Sequence, residues 1–146
     1  MTMAELTANA VQNVAVGQNV IYTDVPISGM NDGIIHRDGS GIVTLSGRYG
    51  TCGRFAEYRI TFGGNVAIPE GGDVAPLSLA IAIDGEPIPT SAMIVTPAAA
   101  SQYWNVGASI LISLPRGCCY TVAVENTGTT PFDIQNVNFI VERVNF

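Results

Sequence analysis

The run LSLAIAIDGEPIPTSAMIVTP, Leu77 to Pro97, reads as two β-strands joined by a two-residue loop at Asp84-Gly85. A tight Asp-Gly loop between apolar runs favours a type I′ hairpin, because both central positions need φ > 0. That turn sets a register: Ile83 opposite Glu86, Ala82 opposite Pro87, Ile81 opposite Ile88 and Ala80 opposite Pro89. Both prolines then fall on non-hydrogen-bonded positions, so the second strand pairs inward and presents a poor edge outward. Leu77, Leu79, Ile81, Ile83 and Ile88 share the core face. Ser78, Ala80, Ala82, Pro87 and Pro89 share the other, uncharged and low in relief, which suits the approach of another sheet or subunit.

Working outward, residues 4–15 carry Leu6, Val11 and Val14 at loosely helical spacing among Asn and Gln. Helix, strand and an arm ordered by a partner all remain open there, and residues 1–16 are taken as an arm preceding a domain at 17–146. Val20 to Thr23 is expected to be the first firm strand, and Ile34 to Arg37 a short strand between Gly/Asp-rich turns. Gly41 to Gly47 follows as a strand, and Phe55 to Thr61 alternates cleanly before Gly63-Gly64, where a bulge or bend is expected. Ile110, Ile112 and Leu114 alternate in the next strand, then Tyr120, Val122 and Val124, and Phe132 to Val144 forms a last strand or pair of strands. Eight to ten short strands punctuated by Gly and Pro, with no long helix, point to an all-β antiparallel sandwich or barrel.

At 146 residues the chain is one domain long. It is 47% hydrophobic and only 12% charged, against about 25% charged in typical domains, so part of its surface is expected to be covered by copies of itself or a host assembly. A net charge of −6, with six arginines and no lysine, argues against nucleic acid as a partner. The start, MTMAELTANA, has neither a basic nor an apolar signal region, so no signal peptide and no membrane span are expected. Three cysteines, Cys52, Cys118 and Cys119, fit synthesis in a reducing compartment such as a bacterial cytoplasm.

Residues capable of chemistry are few. His36, Arg37, Asp38 and Ser40 include the types of a hydrolase triad, but sequence neighbours on a strand point to opposite sides. Asp32, Asp38, Asp73 and Asp84 sit in Gly-rich turns without the spacing of a calcium loop. Cys118-Cys119 with Cys52 lack a zinc or redox spacing. No enzyme activity, cofactor or metal is therefore expected. Tyr103, Trp104 and Asn105, with Arg48 and Tyr49 in another loop, supply flat apolar rings and polar groups suited to a surface glycan.

Three segments in order, YRITFGG at Tyr58 to Gly64, LAIAIDGEPIPTS at Leu79 to Ser91 and FIVERV at Phe139 to Val144, resemble the jelly roll of tumour-necrosis-factor-like domains and complement globular heads. The likeness extends to the C-terminal domain of the collagen-like glycoprotein of the Bacillus exosporium and to phage head-decoration or head-fibre proteins. The resemblance implies a two-sheet jelly-roll homotrimer with apolar strands along the three-fold axis, and places Ser78, Ala80, Ala82, Phe139 and Val141 at the trimer interface. It further implies a structural protein of a phage virion, a decoration or head-fibre module attached to the major capsid protein through the N-terminal arm. A glycan- or receptor-binding module is the alternative. A spore-surface trimer comes third, weakened by the missing Gly-x-y stalk.

Overall fold

The computed structural model describes residues 3–27, 33–46, 55–115 and 119–144. Its strands are β1 Met3–Ala8, β2 Gln12–Val14, β3 Asp24–Ile27, β4 Ile34–His36, β5 Val43–Ser46, β6 Phe55–Ala67, β7 Leu77–Ile83, β8 Glu86–Pro87, β9 Met93–Val95, β10 Trp104–Pro115, β11 Cys119–Asn126 and β12 Phe132–Arg143. They form two antiparallel sheets. One runs β10-β6-β12-β1-β3, with β2 also on β12; the other runs β4-β5-β11-β7-β8, with β9 also on β7. We call these the long-strand sheet and the hairpin sheet.

Alternation of side chains explains the sandwich. Along β6, Ala56, Tyr58, Ile60 and Phe62 are buried while Phe55, Glu57 and Arg59 are exposed. Along β12, Phe139 and Val141 point inward and Ile140 and Glu142 outward. The hairpin sheet contributes Leu77, Leu79, Ile81, Val122, Val124, Val43 and Leu45 to the same core. At its centre Tyr22 stacks on Phe139, centroids 5.2 Å apart and rings 10° from parallel, and Phe62 meets Phe139 edge-on at 6.2 Å. Such aromatic contacts add about 0.5–1.5 kcal/mol per pair beyond burial.

The expected hairpin turn is present. Asp84 and Gly85 have φ of 52° and 83°, Ile83 pairs with Glu86, and Ala82 pairs with Pro87. The Ile88 N–H donates to the Ile81 carbonyl at 2.9 Å. The expected pairing of Ala80 with Pro89 is replaced by a single 3₁₀ turn at Pro89–Ser91. Ser91 Oγ accepts from the Ile81 N–H at 2.9 Å and donates to the Ile88 carbonyl at 2.7 Å, standing in for the interrupted ladder before β9 rejoins β7 at Met93 opposite Leu79. Asp84 Oδ1 accepts from the Thr121 N–H at 2.8 Å, tying the turn to β11.

Three expectations are corrected. Residues 3–14 of the expected arm lie within the long-strand sheet: β1 is hydrogen-bonded between β12 and β3, with Ala4, Leu6 and Ala8 facing the core. A strand is favoured there because the alternation Ala4-Leu6-Ala8 against Met3-Glu5-Thr7 matches a half-buried sheet. Val20 to Thr23 is not a strand, although Val20 and Tyr22 are fully buried. The chain there bridges through Asn19 to Glu125 and becomes β3 only at Asp24. The bulge expected at Gly63-Gly64 sits instead on the facing strand, between Gln135 and Asn138, with Asn136 at φ 53°. It brings Ile134 and Val137 over Gly64, where an added Cβ would meet each at 3.1 Å.

Candidate functional site

The outward face of the long-strand sheet combines a flat polar surface with exposed apolar side chains. Its register places residues in rows across β10, β6, β12 and β1: Gly107-Gly63-Asn138-Thr7, Ser109-Thr61-Ile140-Glu5 and Leu111-Arg59-Glu142-Met3. Side chains within the rows are tied together. Thr61 and Ser109 hydroxyls lie 3.0 Å apart, Arg59 pairs with Glu142 at 3.1 Å, and Asn138 donates to the Glu5 carboxylate. An exposed pair such as Arg59–Glu142 contributes about 0–1 kcal/mol, and its larger effect is to leave this face with little free charge.

Leu111 stands out from that surface at 65% exposure, on the same side as Ile140 and Met3. Its strand, β10, is a sheet edge of twelve residues without a single charge. Exposed edges are ordinarily blunted by brevity, proline or charge. Such devices mark the other edges: β3 is four residues long with Pro26, β4 has three residues, and the β8–β9 edge carries Pro87, Pro89 and the 3₁₀ turn. Between β12 and β1, the outward surface is indented by a hollow of about 200 Å³ lined by Met3, Ala4, Glu5, Ile140 and Glu142.

None of the residues expected at a subunit interface projects from this face. Phe139 and Val141 are wholly buried inside the protomer, against Tyr22 and Phe62 in the case of Phe139. Ala80 and Ala82 are on the outer side of the hairpin sheet but almost fully covered, and the Ser78 hydroxyl bonds that of Thr127 at 2.8 Å. Small side chains in a central strand are shielded by their neighbours, so an apolar stripe there does not amount to an open face. Sequence reading missed Leu111 and Ile140. The signal was present as phase: Ile110, Ile112 and Leu114 face the core, which puts Leu111 outside.

The expected glycan contacts do not form one platform. Trp104, half exposed, pairs with Val66 and shares the inward phase of Val106 at the sheet margin, whereas Asn105 lies on the outward phase with Asn65, to which its amide donates at 3.1 Å. Tyr103 precedes β10 and is exposed. Arg48 and Tyr49 lie outside the described residues, as do Asp32, Cys52 and Cys118. Cys119 is an exposed free thiol.

His36 Nε2 lies 2.8 Å from the Ser40 carbonyl oxygen, which only accepts, so this nitrogen carries the proton and contacts the main chain instead of a nucleophile. The Ser40 hydroxyl accepts from the Ile42 N–H. The Tyr22 hydroxyl and His36 Nδ1 are buried without a partner, and the two rings meet edge-on at 6.3 Å. Burial holds the Tyr22 phenol well above its ordinary range. Tyr58 is raised by burial, with Arg143 acting in the opposite direction, and its hydroxyl donates to the Ser46 carbonyl at 3.0 Å. Among the described residues no three His, Cys, Asp or Glu side chains come together to hold a metal ion, and no helix is long and apolar enough to cross a membrane.

No family model and no curated protein sequence matches the chain. Solved structures do. The globular domain of a zebrafish complement 1qA protein superposes with a TM-score of 0.66 at 13% identity, covering 100% of this chain and 98% of that one. Murine APRIL superposes at 0.63 and 10% identity, covering 97% and 98%. The Eiger TNF from S. frugiperda superposes at 0.63 and 10% identity, covering 99% and 94%. In fold, the chain is a two-sheet jelly roll of the kind shared by tumour-necrosis-factor-like domains and complement globular heads.

Proposed function

We propose that the chain is a non-enzymatic structural module that assembles as a homotrimer through the outward face of the long-strand sheet and decorates the surface of a phage virion. The observation that carries the assembly is the uncharged twelve-residue edge β10, free of proline until its last residue and bearing exposed Leu111, beside a face whose charges are largely paired. An edge and face of this kind are stabilised by a partner, and a second copy has the matching surface. The three-fold number follows from the jelly-roll resemblance. The virion role draws on that same resemblance and on the low charge of the chain, which suits a surface covered within an assembly.

The capsid partner is the major capsid protein. Attachment through residues 3–14 would require stripping β1 from between β12 and β3, so the surface that docks on the capsid lies outside that segment. A glycan-binding role has less support, because Trp104 and Asn105 leave β10 on opposite sides. The test is binding of the purified protein to intact capsids from a phage lacking it. Saturable binding in multiples of three copies is expected; intact capsids that retain none of the protein would overturn the virion role.

A further inference from the structure

At one end of the sandwich the β6–β7 connection and the β11–β12 loop enclose a cavity of about 360 Å³. Buried Ile68 and the rings of Pro69 and Pro131 give it apolar walls, and Glu70, Asp73 and Thr130 supply its polar side chains. Both rims are held by the chain itself. On one side the Gly72 N–H donates to the Pro69 carbonyl and the Ser101 N–H to the Ile68 carbonyl, each at 2.9 Å. On the other, buried Asn126 donates to the Thr130 carbonyl at 3.0 Å and accepts from the Gly128 N–H at 2.9 Å. The turn needs its glycines: Gly71 has φ of 80°, and a Cβ at Gly72 would come within 2.9 Å of Ile68 and 3.0 Å of the Pro69 carbonyl oxygen. A cavity braced in this way is open before any ligand arrives, so binding does not have to order its walls.

The lining selects the occupant. Small-molecule sites run from about 300 to 1,000 Å³, so this one has room for a single ring-sized ligand and is too large for a bare ion. Among the described residues, neither the Glu70 nor the Asp73 side chain has a hydrogen bond or ion pair. Ionised carboxylates only accept, so the occupant must bring donors and carry no negative charge. The proline rings call for aliphatic C–H surface. A pyranose meets both demands, with hydroxyls around its edge and C–H groups across its face. We propose that this cavity binds one neutral pyranose unit of a glycan, its hydroxyls donating to Glu70 and Asp73 and its C–H face lying on Pro69 and Pro131. Uronic acids are refused, because their carboxylate meets two of the same sign. The site is separate from the Trp104–Asn105 pair, whose side chains leave β10 on opposite sides. It is complete within one protomer, so it adds a ligand to the structural role and does not depend on assembly.

The test is an amide NMR titration of the isotope-labelled full chain with the methyl glycosides of glucose, galactose and mannose and of their uronic acids. At least one neutral glycoside is expected to shift the Gly71, Gly72 and Thr130 amides saturably, with the millimolar dissociation constant usual for so small a ligand. Its uronic counterpart is expected to bind at least about tenfold more weakly. Glu70→Gln and Asp73→Asn should each weaken the neutral sugar at least about fivefold and narrow its advantage over the uronic acid. Ala75→Leu, which fills the cavity without altering a charge, should abolish the shifts. No saturable shift at these amides from any neutral glycoside overturns the site, as does a uronic acid that binds as well as its neutral counterpart. Shifts that survive both Ala75→Leu and the carboxylate substitutions overturn it too, because the sugar then sits elsewhere.

Discussion

The two sheets expose outward faces that look alike in sequence and differ in the folded chain. On the hairpin sheet the uncharged stripe Ser78, Ala80 and Ala82 is largely closed by its own neighbours and flanked by a proline-broken edge. On the long-strand sheet polar side chains bond one another across the rows, while Leu111 on the edge strand β10 and the hollow beside Ile140, between β12 and β1, stay open. A stripe of small apolar residues therefore reports tight lateral packing, whereas an out-of-phase large apolar residue on a long uncharged edge reports a surface that lacks a partner.

The sharpest way to break that comparison uses neighbours on one strand. Phe139 points into the aromatic core and Ile140 points out. Phe139→Ala is expected to cost about 3–5 kcal/mol in urea unfolding, while Ile140→Ala costs the protomer less than about 1 kcal/mol. Comparable costs would mean that the strand's two faces are not distinct. Next comes a matched pair on the two sheets: Ile94 at 67% exposure and Leu111 at 65%. Leu111→Asp is expected to lower the native mass, and Ile94→Asp to leave it unchanged. Dissociation by Ile94→Asp would move the interface to the hairpin sheet.

Smaller effects probe the interior of each sheet. Ser91→Ala leaves the Ile81 N–H without its acceptor, and a loss of about 1–3 kcal/mol is expected in denaturant unfolding. Tyr22→Phe removes a buried hydroxyl that has no partner, so stability at neutral pH should rise, by about 1 kcal/mol. Its alkaline behaviour should differ more clearly. The folded Tyr22 phenol is raised above the unfolded value of 10.0, so its contribution is complete below pH 10.0 and is lost as pH climbs toward the folded value. The Phe variant should lose less stability over that range, with Tyr58, raised in the same direction, accounting for the remaining slope. A pH titration of the unfolding midpoint checks this. Least of all, Arg59→Met should change protomer stability by no more than about 1 kcal/mol.

Much of the architecture was legible in the sequence, for physical reasons that also explain the failures. Asp84-Gly85 fixes a turn that few other residue pairs accept, and the alternation of Phe55 to Phe62 fixes a strand face. At the N-terminus the inward residues are Ala4, Leu6 and Ala8, too small for the alternation to stand out against helical spacing from Val11 and Val14. The stretch around Tyr22 has β-rich composition, but its main-chain hydrogen bonds go one each to Val124, Ser40 and Thr7 and, at Ile21, to the Gln12 side chain, so no one neighbour supplies a ladder. Ser91 is a side chain replacing a main-chain partner, which strand propensity does not encode. For the candidate site, the phase of Leu111 was readable, but the hollow on the same face joins Met3 to Ile140 and exists only once β1 and β12 are paired.

The most direct test of the central claim is the native mass of the reduced chain, measured by light scattering from micromolar to nanomolar concentration. A particle of three 15.3 kDa chains that persists on dilution, and that Leu111→Asp breaks down while Ile94→Asp does not, is the result expected. A 15.3 kDa monomer throughout would contradict it, and would mean that the open edge β10 is covered by a different protein.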